Sequence, residues 1–281
     1  MTLRKEMRRR LLLKIFEIKD ESNKDRLLGY LFYYPKRKRF YTELLRSLDE
    51  WNAPFIFWGQ VKKGEYSIGH EKSLEFVRQR IIPSDRQNIG MILRDNNITE
   101  YDEYRLLLLS RGRCAQDDLY LVKVDEESIV EEIKDRLTLK IRDVMALSGN
   151  RLMVFFKNYR TGIIDIAELR KEDRSFSRIL SEKDIFSNVK MSPGGHGIEW
   201  GSSTSISAEE LYEKCNEINI SFEDIACFLN NRVIDTSEAT KLLGCTRQYV
   251  NQLVNQNKIK PIKVGSNNNL FMRGDIEEDI I

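Results

Sequence analysis

The sequence is poor in the residues that build metal centres and disulfide frameworks. Its 281 residues include four cysteines and two histidines, and no two cysteines have the spacing of a metal knuckle or a Cys-x-x-Cys motif. Scattered cysteines of this kind are typical of reduced thiols in a cytosolic protein. His70 and His196 lie far apart in the chain, and neither has a cysteine or acid at ligand spacing. We therefore expect no metal and no other cofactor.

Long apolar runs are also missing. No stretch approaches the roughly 20 residues that a membrane helix needs. The basic start of the chain contains only the short run Leu11–Leu13 before charges return, which fits neither a signal peptide nor a membrane span. We expect a soluble, cytoplasmic protein that does not contact a membrane.

The net charge is small but unevenly distributed. A value of +2 gives no indication of a nucleic-acid partner. However, residues 1–40 carry thirteen Lys and Arg against five Asp and Glu, and residues 232–273 carry seven against two. The intervening segment 125–231 is acidic, with fourteen against twenty. Basic ends of this kind favour nucleic-acid surfaces, although solvated helix faces would give the same pattern.

The hydrophobic pattern divides the chain into three units, and the predicted fold class is multidomain α+β. Residues 1–125 form an N-terminal α+β unit, the highly charged segment 126–137 a linker, residues 138–218 a small α+β domain, and residues 219–281 a C-terminal domain. Within the first unit the apolar runs and helical spacings predict the following elements. The strands are at 27–34, 54–58 and 119–124, and the helices at 41–51, 73–82, 85–95 and 101–110.

The middle domain is built around a predicted β-hairpin. Strands at 151–156 and 161–166 flank an Asn-containing turn, and Ser207 with Glu210 forms a capping box that starts the last helix. The segment 141–213, with its hairpin, its Gly-Ile-Glu-Trp strand and its final Leu-Tyr-Glu, resembles a small domain-of-unknown-function family found beside bacterial toxin–antitoxin modules. The resemblance implies a fold but no activity.

The C-terminal domain begins with the strongest local signal in the sequence. Asp235 or Thr236 can cap a helix that carries Ala239, Leu242 and Leu243 on one face, and Gly244 can adopt the left-handed conformation that ends it. Thr246 can cap a second helix, whose buried face is formed by Val250, Leu253 and Val254. Two short helices joined by a tight turn predict a helix-turn-helix.

The exposed face of the second helix is suited to base recognition. It carries Arg, Gln and Asn but no acid. In the major groove, Arg pairs with guanine, and Gln or Asn pairs with adenine. Residues 258–264 and 270–271 are predicted as two strands of a wing joined by the loop 265–269. Its lysines can contact phosphates.

The segment 232–280 resembles the DNA-binding domain of the MerR and excisionase families. Asn257 stands where these families usually have Gly, and Asn tolerates the same left-handed geometry. Asn267 and Asn268 stand where a family wing often has Arg. The resemblance implies a winged helix-turn-helix that binds double-stranded DNA. The alternative is a helix-turn-helix that only mediates protein contacts. The predicted DNA-binding residues are Thr236, Ser237, Thr246, Arg247, Gln248, Tyr249, Asn251, Gln252, Asn255, Lys258, Lys260, Lys263, Asn267 and Asn268.

Other motifs have a chemical and a plain structural interpretation, and we favour the latter. The loop Gly194–Gly197 could hold a phosphate, but no Gly-Lys-Ser/Thr follows it, which favours a tight turn. Arg111 and Arg113 could activate Cys114, or all three could belong to a polar loop. The cluster Arg78, Arg80 and Arg86 could hold an anion or form salt bridges. The aromatics at 33–58 could stack on single strands or form a core.

These observations leave three functional hypotheses. The first is a transcriptional regulator, an autoregulatory or antitoxin-like repressor of bacterial or mobile-element origin. Palindromic operators favour a homodimer, but the sequence has no coiled-coil heptad to form one. The second is an adaptor or inhibitor whose N-terminal or middle unit binds a partner protein. The third, an enzyme, lacks any catalytic triad or carboxylate pair, and we expect no enzymatic activity.

Overall fold

The computed structural model describes residues 13–171, 173–201, 204–216, 218, 222–265 and 268–278. The chain forms two compact units, residues 1–135 and residues 136–281, and its mixed helices and sheets confirm the predicted α+β class. Among the described residues, none of the helices has both the length and the apolar character required to cross a membrane.

The first unit is an antiparallel five-stranded sheet packed against short helices. The strand order is β4-β3-β2-β1-β5, and every neighbouring pair is antiparallel. The strands are β1 (Lys14–Asp20), β2 (Arg26–Tyr34), β3 (Arg39–Leu44), β4 (Ser67–Ile68) and β5 (Leu119–Val124). The helices are α1 (Phe55–Lys62), α2 (His70–Arg78), α3 (Ile89–Asp95), α4 (Glu103–Ser110) and α5 (Glu131–Thr138), the last lying at the division between the units.

Two predictions in this unit are wrong. Residues 41–51, predicted as a helix from their leucine spacing, contain strand β3 followed by turns. Residues 54–58, predicted as a strand, begin helix α1. An apolar run this short suits either element, and here β2 supplies the strand partner for β3 while Phe57 and Val61 of α1, one helical turn apart, enter the core. Strand β1 was also not predicted.

The second unit contains three small sheets. Their strand orders are β6-β7-β8, β11-β10-β9 and β12-β13. The strands are β6 (Ile141–Ala146), β7 (Arg151–Phe156), β8 (Thr161–Asp165), β9 (Lys190–Met191), β10 (Gly197–Trp200), β11 (Thr204–Ser207), β12 (Val233–Asp235) and β13 (Leu270–Met272). The helices are α6 (Ile166–Leu169), α7 (Ser177–Ser181), α8 (Lys183–Ser187), α9 (Ala208–Lys214), α10 (Phe222–Arg232), α11 (Thr236–Leu243), α12 (Arg247–Asn255) and α13 (Arg273–Glu278).

Both faces of the β6-β7-β8 sheet are covered. Leu152, Val154 and Phe156 of β7 enter one core, whereas Met153 and Phe155 face the other side, as the two-residue period of a strand requires. On that second side the ring of Phe155 lies 5.0 Å from the ring of Phe228 in α10. Helix α10 is therefore anchored to the sheet immediately before the chain enters β12.

The unit of residues 136–281 contains both the predicted middle domain and the predicted C-terminal domain. The hairpin of the middle domain has its expected strands, and Ser207 accepts a hydrogen bond from the Glu210 N–H at 3.1 Å, as a helix cap should. The division of this unit at residue 218 stays a prediction.

Candidate nucleic-acid interface

Helix α11 begins and ends at the residues that the sequence indicates. Asp235 accepts a hydrogen bond from the Glu238 N–H at 2.8 Å, and Glu238 accepts one from the Asp235 N–H at 3.2 Å. This reciprocal capping box fixes Asp235 as the cap, and the Glu238 N–H holds the pKa of the Asp235 carboxyl below its usual range. Gly244 ends the helix at a φ of 58°, a left-handed conformation that glycine adopts readily.

Helix α12 has one buried face. The Thr246 hydroxyl accepts a hydrogen bond from the Tyr249 N–H at 3.3 Å and caps the helix. Val250 is fully buried, and Leu253 is nearly so. They pack with Ala239 of α11 and Phe271 of β13 in a separate small core. The two helices therefore share one core on either side of the turn at Gly244, whereas a helix-turn-helix that binds DNA stays a prediction.

The opposite face of α12 is polar and open. Six side chains on this face, from Thr246 to Asn255, are exposed, and none of them is acidic. The exposed residues are Thr246, Arg247, Gln248, Asn251, Gln252 and Asn255. Arg247 donates to the Ser237 hydroxyl at 2.9 Å, which links the two helices. Tyr249 is half-buried against the core. Most predicted base-contacting side chains therefore share one surface, which we call the polar face.

The predicted wing is shorter than the sequence suggested. Residues 258–264 do not form a full strand and pair with Leu270 only at a bridge from Lys263. Asn257, just before them, takes the expected left-handed conformation at a φ of 52°. Strand β13 instead uses β12 as its partner. Lys258, Lys260 and Lys263 are all exposed. Their side chains are accessible to solvent and could therefore contact a phosphate backbone.

Two of the predicted DNA-binding residues hold the base of this wing. Thr236 is 3% exposed, and its hydroxyl exchanges hydrogen bonds with the backbone of Asn269 at 3.3 and 3.0 Å. Asn268 donates to Asp235 at 3.1 Å. Because the Thr236 side chain is buried, we assign it to the scaffold and not to the surface. Asn267 lies outside the described residues.

The remaining candidate motifs have structural partners. Arg80 pairs with Asp117 while Arg78 pairs with Glu103, so the arginine cluster does not converge on an anion site. The Cys114 thiol donates to Asp117 at 3.4 Å, and Arg113 pairs with Glu21.

The glycine loop before β10 is a tight turn. A Cβ on Gly195 would lie 2.0 Å from the Ile141 carbonyl oxygen, so close packing accounts for this glycine. His196 is buried. Among the described residues, no group of three or more His, Cys, Asp or Glu side chains could hold a metal ion.

The aromatic residues at 33–58, which the sequence left as either a stacking surface or a core, divide into two groups. Five belong to the buried core, namely Tyr33, Tyr34, Phe40, Tyr41 and Phe57. Trp51 and Phe55 are more than 90% exposed, and Trp58 is 39% exposed. The basic segment 36–39 leads into β3, whereas Trp51 and Phe55 come after this strand, so β3 lies between the bases and the exposed aromatics along the chain.

Strand β6 makes a set of contacts that no sequence pattern indicates. Arg142 and Asp143 of that strand meet Asp275, Gly274 and Arg232. No local motif marks such residues, because their partners lie about ninety to 130 positions away along the chain.

Comparison with known proteins identifies one part of the chain. The family model described as protein of unknown function (DUF2442) matches residues 141–217, in agreement with the resemblance of the middle domain. A solved structure from Nitrosomonas europaea, described as a candidate DNA-binding protein, is 21% identical and covers 44% of this chain and 79% of its own, with a TM-score of 0.25. No curated protein matches the chain.

Proposed function

We propose that the protein is a sequence-specific, double-stranded DNA-binding transcriptional regulator that reads its site with helix α12. The observation that carries the proposal is the polar face, an acid-free surface of Arg, Gln and Asn on a helix whose other side is fixed in a core. These side chains match the hydrogen-bonding edges of guanine and adenine in the major groove. The three exposed wing lysines supply phosphate contacts that set the position on the duplex.

Four local features support the proposal, since the MerR and excisionase resemblance implies them. A capping box, a glycine-ended first helix, a Thr-capped second helix and a left-handed residue before the wing all occur in order. The regulator is proposed to act in the cytoplasm without catalytic activity. The segment 141–213 resembles a family found beside bacterial toxin–antitoxin modules, and on that resemblance we propose an autoregulatory or antitoxin-like repressor of bacterial or mobile-element origin. Binding to its own promoter tests that role.

Selection of bound duplexes from a random DNA pool, followed by affinity measurement on the enriched site, tests the proposal. Arg247→Ala should weaken specific binding by about 10- to 100-fold, the cost of one bidentate base contact. The matched control is Arg178→Ala, because Arg178 is equally exposed at the surface of α7 and far in sequence from α12. Failure to enrich any sequence, or equal affinity of both variants, contradicts the proposal. Enrichment of a palindrome would support a homodimer.

A second candidate function rests on the exposed aromatics of the first unit. Trp51 is 91% and Phe55 94% exposed, and large apolar side chains left in water favour a protein-binding surface. An adaptor or inhibitor role predicts that the double variant Trp51→Ala, Phe55→Ala loses a stoichiometric partner seen with the unaltered chain, while its DNA affinity stays the same. Retention of that partner by the double variant would contradict this role.

A further inference from the structure

Strand β6 contacts the winged-helix segment at its final helix. We call residues 233–278 the winged-helix module. Arg142 donates from Nε and Nη2 to the two carboxylate oxygens of Asp275 at 2.7 and 2.6 Å, the fork geometry of a strong charged pair. Lys157, at the end of β7, pairs with Glu278 in the same helix. Helix α13 is thus held on the sheet of the DUF2442-like segment by two ion pairs.

A β-bulge allows this contact. The register of β6 against β7 shifts between Ile141 and Asp143, so Arg142 has no residue opposite it. Successive side chains of a regular strand point to opposite faces, and a bulge re-aims them, which lets Arg142 and Asp143 both meet the module. Gly274 completes the fit, because a Cβ there would lie 2.5 Å from the Arg142 carbonyl oxygen.

The contact beside Asp143 is incomplete. Asp143 is 4% exposed, and its Oδ1 accepts a hydrogen bond from the Val144 N–H at 2.8 Å. Its Oδ2 is buried and has no hydrogen-bond partner among the described residues, and neither has Nε of Arg232, which lies 3.4 Å from Oδ1. Arg232 directs its Nη2 to the Val144 carbonyl oxygen instead. A buried charge that is only partly paired opposes the packing that buries it.

The surroundings of Asp143 raise the pKa of its carboxyl group. Burial raises the pKa of Asp143 to about 6, and Glu277 of α13 adds to the rise. The Arg232 charge and the hydrogen bond from the Val144 N–H only partly oppose it, as does the Gly274 N–H, which faces the carboxyl without the geometry of a hydrogen bond. The carboxyl therefore binds a proton more tightly than its reference pKa of 3.8 implies, and α13 itself contributes to this shift through Glu277 and through the close approach of Gly274. By linkage, docking strengthens as the pH falls through about 6 and is weakest above it.

We propose that the junction of α13 with β6 is a releasable attachment of the winged-helix module, in which the Arg142–Asp275 pair holds the module and the ionised Asp143 beneath it favours release. The two neighbouring residues of the bulge thus act in opposite directions. The consequence for DNA affinity rests on the proposed function, whereas the attachment itself does not. Both side chains are positioning residues, since neither belongs to the polar face.

Hydrogen exchange of the full-length chain measures the attachment directly. The readout is the protection of amides in β13 and α13, with amides of β10 and β11 as an internal reference. Asp143→Asn keeps the shape and removes the charge, so exchange should slow at pH 7.5, by up to about a hundredfold if the whole shift in pKa is recovered. Arg142→Ala should accelerate exchange on the order of tenfold, as expected on losing a charged hydrogen-bonded pair.

A matched control separates attachment from general stability. Arg170 makes an equivalent two-bond pair with Glu210 at 2.7 and 2.6 Å, but both residues belong to the DUF2442-like segment. Arg170→Ala should leave the exchange of α13 unchanged relative to the reference amides. In the unaltered chain, protection corrected for intrinsic rates should rise from pH 7.5 to pH 5.5, and this rise should vanish in Asp143→Asn.

The proposal is overturned if Asp143→Asn accelerates exchange as Arg142→Ala does, because Asp143 would then only stabilise the contact. It is equally overturned if neither variant changes α13 relative to Arg170→Ala. DNA affinity is measured separately on the same proteins. A chain that binds no DNA at any pH contradicts the proposed function, yet the exchange data still decide the attachment. If DNA binds, Arg142→Ala should alter its affinity and Arg170→Ala should not.

Discussion

Replacement of the wing lysines by glutamine offers a quantitative test of the DNA interface. Lys258, Lys260 and Lys263 are exposed, and they follow α12 directly along the chain. If each neutralises one phosphate, the slope of log affinity against log salt concentration changes by about 0.9 per lysine. The triple variant should therefore flatten the slope by about 2.7. Between about 50 and about 200 mM salt, the three contacts would account for about a 40-fold loss of affinity.

The assay is fluorescence anisotropy of a labelled duplex that carries the selected site, titrated at five salt concentrations. The control replaces three other exposed lysines, Lys24, Lys72 and Lys183, which leaves net charge equal to that of the wing variant. Global charge alone would flatten both slopes equally. An unchanged slope in the wing variant, or an equal change in the control, would refute the assignment of these lysines to the phosphate backbone.

Three further predictions concern the scaffold, and each is checked by chemical denaturation. Asp117→Ala should cost about 3 kcal/mol of unfolding free energy, because Arg80 is buried and would lose its charge partner. Combining Arg80→Met with Asp117→Ala should recover part of this loss. If the double variant instead loses the sum of the two single costs, the prediction is contradicted. Asp235→Ala should cost about 1 kcal/mol through the lost capping box, against no measurable effect of Asp184→Ala at an exposed position of α8. His70 accepts a hydrogen bond from the Phe40 N–H, and burial lowers its pKa below 6.5. The unfolded chain therefore binds the proton more tightly, so stability should fall as the pH drops below about 6.5, and His70→Asn should reduce that fall.

Helices α11 and α12 were predictable because their signals are local. Asp235, Gly244 and Thr246 form hydrogen bonds with backbone groups no more than four positions away. A short stretch of sequence is therefore enough to predict such interactions. The spacing of Val250 and Leu253 then indicates which side of α12 is buried. The positions of α12 that are not on its buried side form the polar face.

The first unit was less predictable for the opposite reason. Leu44 and Leu48 are buried and four positions apart, as in a helix, yet Leu44 ends a strand because Gly29 of β2 is its partner. The run at Pro54–Trp58 is apolar, but Phe55 points into water. Such choices depend on partners elsewhere in the chain, and local pattern does not encode them.

The sequence by itself determined the caps, the two helices and the polar face of the module, since each depends on neighbours along the chain. Only the tertiary structure decided how the module is attached. Arg142 meets Asp275 across 133 positions, and the bulge that aims Arg142 exists only once β6 pairs with β7. The burial that raises the pKa of Asp143 likewise arises from packing. Long-range pairing creates these interactions, because the desolvation that gives them their strength is absent until the elements meet.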